Sequence, residues 1–208
     1  MSIIKTLINP KTENYYRLKE YVLSHNMEWH WNAASIKSIY AYRNRFSECG
    51  IPVEEIDNYI NAGFYGHTVI TRNTIYDKDN PHLTDDDPLL PVVVSDLYRD
   101  LVNPFLCDLI RANVGRDECY IRSILRCNFN AVHSDQQGFS IPHEDHDSTI
   151  IPHKNMLVYL TDSGGKTFVG TEYHSPAEDD IVVFNSSKLH YMEMPKSKRR
   201  IVMVMTFI

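Results

Sequence analysis

No Cys-x-x-Cys pair occurs in this chain of 208 residues; its four cysteines, Cys49, Cys107, Cys119 and Cys127, are scattered. That spacing fits neither a zinc knuckle nor a disulfide scaffold, and the expectation is four reduced, mostly buried thiols. An apolar run of the ~20 residues a membrane helix needs is lacking too. The opening Met-Ser-Ile-Ile-Lys-Thr has none of the apolar core of a secretion signal. A soluble, cytoplasmic protein is therefore expected, with no membrane partner. Basic residues are in deficit: 21 Lys and Arg stand against 27 Asp and Glu, a formal net charge of −6. Phosphate contacts need clustered cations, so a general nucleic-acid-binding surface is not expected. The one dense basic run, Lys196 to Arg200, reads as a solvated turn whose last member opens a strand. Internal repeats and low-complexity linkers are missing as well.

What is present is ordinary globular material, 43% apolar and 11% aromatic, long enough for one domain with a substantial core. Most of the thirteen tyrosines are assigned to packing. Residues 3–9 read as a short strand. Thr12 then caps a helix running to about Ser24, with Tyr15, Leu18 and Val22 at helical spacing. Trp29 and Trp31 share one face of an extended segment and are read as core anchors. Residues 36–48 carry no firm assignment. Pro52 opens a helix to Asn61, with Gly63 beyond its end. The β-branched content of 64–76 predicts a strand. The acidic, proline-bearing stretch 77–91 reads as a loop, either a lid or an exposed excursion. From Ser95, Leu97, Leu101, Phe105 and Leu109 form one helical face, which Pro104 should kink or split before Gly115 ends it.

From Glu118 onward the pattern changes to strands, placed at 118–129, 139–146, 155–161, 166–170, 180–185, 189–194 and 199–207. Short strands separated by turns, with no helix between them, predict a double-sheet roll. The fold class expected is mainly β with N-terminal helices. Residues 1–116 would form a helical wrap with outer strands, and 117–208 a β-roll.

The chemistry concentrates between Gly138 and Arg200. Side chains two apart on a strand share a face, so in an extended 140–146 segment His143 and Asp145 point one way and Glu144 the other. With His190 from a distant strand they compose the two-histidine, one-carboxylate triad that holds Fe(II) with positions left open. A second His-x-Asp, His133-Ser-Asp135, sits in a polar, Gly-containing loop rather than an apolar strand, and is set aside. The cluster His143, His146 and His153 is not the helical H-E-x-x-H of zinc hydrolases, and Pro142 and Pro152 discourage a helix there.

His143-x-Asp145, Met156-Leu-Val-Tyr159-Leu, Gly164-Gly-Lys-Thr-Phe168, Ile181-Val-Val-Phe184, His190 and Arg200 stand in an order that resembles the 2-oxoglutarate/Fe(II)-dependent oxygenases. The likeness is to the short prolyl-4-hydroxylase-like branch of the kind carried by phages. It covers 117–208 well and the first half loosely. The resemblance implies a double-stranded β-helix, or jelly-roll, in which His143, Asp145 and His190 hold iron. It also implies that Arg200, ten residues past the second histidine, binds the distal carboxylate of 2-oxoglutarate through paired hydrogen bonds. Tyr159 and Asn128 are neutral helpers guessed from strand position, and the family often has an aromatic where Asn128 stands. Lys166 stands where an acidic residue is usual. The implied reaction is hydroxylation of a C–H bond by dioxygen, with 2-oxoglutarate decarboxylated to succinate and ascorbate as an optional reductant. Its substrate would be a peptide, with a prolyl side chain first, or a small molecule or nucleotide, and a viral source would place the protein in its host's cytoplasm. A cupin-like metal- or ligand-binding module and a structural jelly-roll protein are the alternatives.

Overall fold

The computed structural model describes residues 2–33, 42–72, 91–146, 148 and 152–208. In chain order the first half holds β1 (Lys5–Leu7), α1 (Glu13–Leu23), β2 (His30–Asn32), two 3-10 turns (Arg43–Cys49 and Val53–Asn58), β3 (Tyr59–Ile60), β4 (Phe64–Arg72), β5 (Pro91–Val93) and α2 (Asn103–Ala112). The second half holds β6 (Ile124–Val132), β7 (Phe139–Ser140), β8 (Lys154–Tyr159), β9 (Thr167–Val169), β10 (Glu172–His174), β11 (Ile181–Asn185), β12 (His190–Met192) and β13 (Arg200–Phe207). The larger sheet runs β1-β11-β8-β13-β6-β4-β2, with β5 on β4; a smaller one runs β10-β9-β12. Residues 138–143 extend the smaller sheet beside β12, through β7, the Phe139–Glu193 bridge and the His143–His190 bridge.

Alternation along the central strands divides the larger sheet into two faces. On β13, Ile201, Met203, Met205 and Phe207 join Cys127, Phe129 and Ala131 of β6 and Met156 and Val158 of β8 in the main core. Tyr15, Leu18 and Val22 of α1 and Phe105, Leu106 and Leu109 of α2 close that core from outside. Each such side chain, fully buried, contributes about 1.5–3 kcal/mol. The opposite face carries Leu157, Tyr159, Val202 and Val204, together with Val169 of the smaller sheet. Arg200 and Thr206 of β13 and Asn155 of β8 share the register of that inner face. The result is a mainly β, antiparallel double-sheet roll buttressed by helices, as the strand pattern predicts.

Several local expectations change. Thr12 sits at the start of α1 but does not cap it; its hydroxyl donates to Asp108 Oδ2 at 2.7 Å and ties α1 to α2. Pro104 lacks an N–H and crowds the preceding carbonyls, and the turn before α2, Tyr98–Val102, is widened into a π turn. The segment after Pro52 forms a 3-10 turn rather than an α-helix. Trp31 is no core anchor: it is 57% exposed, its ring tilted against Tyr65 at 5.0 Å between centroids. Of the strand placed at 139–146, only Phe139–Ser140 and the bridge at His143 are paired. The strand placed at 118–129 starts at Ile124 and runs on to Val132. The acidic stretch 77–91, apart from Pro91, lies outside the described residues, as do 73–76 of the strand placed at 64–76 and 36–41 of the unassigned stretch.

Candidate active site

His143 and His190 are set by backbone. The two residues exchange both main-chain hydrogen bonds, His143 N–H to His190 O at 3.1 Å and His190 N–H to His143 O at 3.0 Å. Their rings come to 4.6 Å between centroids. His143 Nδ1 lies 2.8 Å from the Ile141 carbonyl, a bond that needs the proton on Nδ1 and leaves the Nε2 lone pair for a ligand. Burial, reinforced by the neighbouring His190, pushes the His143 pKa down to about 4, so the ring is neutral at ordinary pH.

Asp145 completes the group. Its Oδ2 stands 3.4 Å from His190 Nε2 and accepts from Asn155 Nδ2 at 2.9 Å. Its Oδ1 accepts from the Arg126 guanidinium. Burial alone would raise this carboxyl, but Arg126 and the two imidazoles hold it well below the usual carboxylate range. Ligand atoms of His143, Asp145 and His190 all fall within 4.8 Å of one another. Among the described residues this is the one such group that could hold a metal. Two imidazole nitrogens and a carboxylate are a donor set suited to Fe(II) and its first-row neighbours.

Arg200 lies in the same cavity, of about 150 Å³, with Leu157, Val202 and Val204 also lining it. It is 3% exposed. Its Nη2 donates to the Thr167 hydroxyl and, at 3.4 Å, to Tyr159 Oη, and its guanidinium stands 5.1 Å from the Tyr159 ring centroid. Nε and Nη1 have no protein partner, and no carboxylate among the described residues pairs with the group. A buried cation without an anion is costly, and burial lowers the pKa of this guanidinium accordingly. With one vacant donor on each of its two edges, this buried and otherwise unneutralised cation can receive a carboxylate. The Gly164-Gly165 turn supports this end of the site: both glycines have positive φ, and a Cβ on Gly165 would stand 2.6 Å from the Glu193 carbonyl oxygen.

The structure thus gathers His143, Asp145 and His190 at one place and Arg200 with Tyr159 at another in a shared cavity. Asn128 lines that cavity but makes no bond to Arg200. Arg199 is exposed, on the opposite face from Arg200. His133 of the set-aside His-x-Asp meets Tyr65 edge to face instead, 5.5 Å between centroids. His146 and His153 pack against each other at 4.9 Å, and His146 Nε2 meets Thr206 Oγ1 at 2.8 Å. Lys166 lies over the Tyr173 ring at 4.0 Å. Glu144 does turn away from the metal cluster, but is itself buried and pairs with the half-exposed Arg45 at 2.5 Å rather than pointing into solvent.

Sequence reasoning missed the partners. Thr167 stood only as a strand residue after the Gly-Gly turn, and Asn155 only as the start of a strand. Arg126 and Asn130 fall at the end of the strand placed at 118–129 and just beyond it, and the motif pattern assigns them no role. The signal was available on β6: Arg126, Asn128 and Asn130 alternate with buried Cys127, Phe129 and Ala131, which marks three polar side chains facing the cavity.

No described protein family matches the sequence, and neither does any curated protein. Solved structures do. An oxidoreductase of the 2OG-Fe(II) oxygenase family from Burkholderia pseudomallei aligns with a TM-score of 0.52 and 15% identity, over 87% of this chain and 95% of that one. The chain shares that jelly-roll fold. Also similar are a prolyl-4-hydroxylase from Pseudomonas putida (TM-score 0.40, 14% identity, 92% of this chain and 96% of that one) and a prolyl hydroxylase from Trichoplax adhaerens. The latter was solved in complex with a hypoxia inducible factor oxygen degradation domain peptide fragment, and has a TM-score of 0.44 at 14% identity, over 96% of both chains.

Proposed function

We propose that this chain is an Fe(II)- and 2-oxoglutarate-dependent oxygenase that hydroxylates a C–H bond. The observation that carries the reading is Arg200, a buried guanidinium with two unpaired donors sharing one cavity with the His143–Asp145–His190 group. A metal site alone would suit many proteins. A metal site with a separate, desolvated carboxylate receptor suits a cosubstrate that has a metal-chelating oxo-acid at one end and a carboxylate at the other.

In this reading His143, Asp145 and His190 hold iron, and Arg126 and Asn155 keep the Asp145 carboxylate ionised and oriented. Arg200 binds the distal carboxylate of 2-oxoglutarate, with the Thr167 and Tyr159 hydroxyls completing the cradle. Leu157, Val202 and Val204 line the cavity and exclude water between the two ends. Iron, bound with 2-oxoglutarate and dioxygen, supplies C–H hydroxylation coupled to decarboxylation of the cosubstrate to succinate. A prolyl or other peptidyl side chain is the first substrate to test, and small molecules the second.

A cupin-like binding module without turnover would leave Arg200 with no purpose. The test is succinate formation from 2-oxoglutarate with Fe(II) and ascorbate under air, run beside a direct 2-oxoglutarate binding measurement. Turnover or binding that vanishes in Arg200→Ala supports the oxygenase. Metal binding with no 2-oxoglutarate binding in the wild-type protein refutes it.

A further inference from the structure

Beyond the iron and cosubstrate groups, the cavity wall contributed by β6 carries two half-buried carboxamides whose Oδ1 atoms are shielded from solvent. Asn128 and Asn130 are two apart on β6 and face the cavity, where each presents an Oδ1 that is shielded from solvent and meets no protein donor. Across the sheet Asn128 is registered to Val204 and Thr68, and Asn130 to Val202 and Gly66. Gly66 offers no side chain to Asn130, and the Phe64 ring lies over that glycine instead. Phe64 and Met192, both half-buried, line the cavity as well and belong with Ala62 and Val132 to one apolar cluster. A buried polar group left unpaired is destabilising, so two such groups beside an apolar patch point to a ligand that satisfies them.

Charge narrows the ligand further. The charged groups among the described lining residues are Arg126, Arg200 and Asp145, an excess of one positive charge before any histidine is counted. A divalent metal and doubly ionised 2-oxoglutarate cancel each other and leave that excess in place. A cationic substrate would have to be buried against it without a counter-ion.

We propose that Asn130, assisted by Asn128, is the specificity-determining reader of the primary substrate. The substrate group it reads is an uncharged amide, set beside an apolar portion that rests on Phe64 and Met192, and cationic compounds are rejected. A carboxamide matches an amide because each carries both a donor and an acceptor, whichever way the Asn side chain is turned. The proposal rests on the oxygenase reading above. It covers two sources of the same chemistry, a peptide unit and a free carboxamide.

The test uses the full chain loaded with redox-inert Zn(II) and 2-oxoglutarate, with binding followed by saturation-transfer NMR and titration. The probes are N-acetyl-L-alanine N-methylamide, butanamide and protonated butylamine. Both the methylamide and butanamide, or one of them, should bind, and butylammonium should not. A preference for the methylamide assigns the peptide source; a preference for butanamide assigns the small carboxamide. Asn130→Leu should weaken amide binding tenfold or more, and the near-isosteric Asn130→Asp should admit butylammonium. In both variants 2-oxoglutarate affinity should stay within about twofold of wild type. Amide binding unchanged in Asn130→Leu, ammonium binding equal to amide binding in the wild type, or no amide binding at all would each overturn the proposal. Wild-type protein that takes metal but no 2-oxoglutarate would instead overturn the oxygenase reading, and this proposal with it.

Discussion

His143 and His190, 47 positions apart in the chain, face each other as a reciprocally hydrogen-bonded backbone pair. The ladder, rather than the imidazoles, fixes how close their rings come. The site is therefore built by the sheet and does not depend on its own occupant for shape. Asp145 stands outside this pairing, in an unpaired stretch beyond His143, and is held by side chains from β6 and β8.

Asp145→Ala should for that reason abolish metal-dependent turnover while the sheet stays folded. Far-UV circular dichroism and a metal titration check both halves of the expectation. Retained turnover would remove Asp145 from the ligand set.

Arg126→Met removes the one permanent cation beside the buried Asp145 carboxylate and leaves it Asn155 and His190. Loss of one member of a buried pair costs about 3–5 kcal/mol, and the 26% exposure of Arg126 puts this case at the lower end. A divalent cation should take over the missing positive charge. Thermal melts with and without Zn(II) should show a lower Tm for the metal-free variant and a larger metal-induced rise than in wild type. Equal rises in the two proteins would contradict the assigned partnership.

Glu144→Ala tests the other face of the same segment. The Glu144 side chain is 3% exposed and pairs with Arg45, which is 35% exposed and keeps Glu48 as a second partner. The expected loss is about 1–2 kcal/mol by urea unfolding, reduced from the fully buried case by solvent screening at Arg45. Metal affinity should not change. A mutant that folds normally but loses metal would place Glu144 in the site after all.

Asp179 supplies a pH prediction away from the metal. Tyr15 Oη and Lys19 donate to its Oδ1 at 2.5 Å each, and Lys11 lies 3.2 Å from Oδ2. Burial would raise its pKa, yet Lys19, Tyr15 and Lys11 together hold it below the usual carboxylate value. A carboxyl depressed in the folded state binds a proton more readily when unfolded. Its stabilisation is therefore present above the unfolded pKa of about 3.9 and lost as pH falls through the lower folded value. Asp179 has φ of 74°, which Asn also tolerates. Asp179→Asn should lower stability by about 2 kcal/mol at pH 7 and by much less near pH 2.5. A constant difference across that range would exclude the linkage.

Strand alternation was the most legible feature of the sequence. A period of two admits only one partition of β13, so Arg200, Val202, Val204 and Thr206 had to share one face whatever the tertiary arrangement. His190 and Arg200 each open a strand, and the turns before those strands made their spacing readable, whereas His143 is a single bridge and Asp145 lies outside any strand. Partners reached only through folding were not legible. Arg126 meets Asp145 across 19 residues, Thr167 meets Arg200 across 33, and Glu144 meets Arg45 across 99. No periodicity encodes such meetings. Thr12 shows the limit locally, since its cap signature was real but its hydroxyl found a stronger acceptor in Asp108. Trp31 shows it for burial: a large aromatic on an edge strand has no second layer above it.

The central claim joins Arg200 to the His143–Asp145–His190 group through one bound molecule. It is tested most directly by anaerobic titration of the Fe(II)-loaded protein with 2-oxoglutarate, following the visible charge-transfer absorption that a 2-oxo acid gives on chelating Fe(II). Wild-type protein should show a saturable band, Arg200→Ala the same band only at concentrations a hundredfold higher or more, and Asp145→Ala no protein-bound band. A wild-type protein without the band, or a band indifferent to Arg200→Ala, would contradict the account.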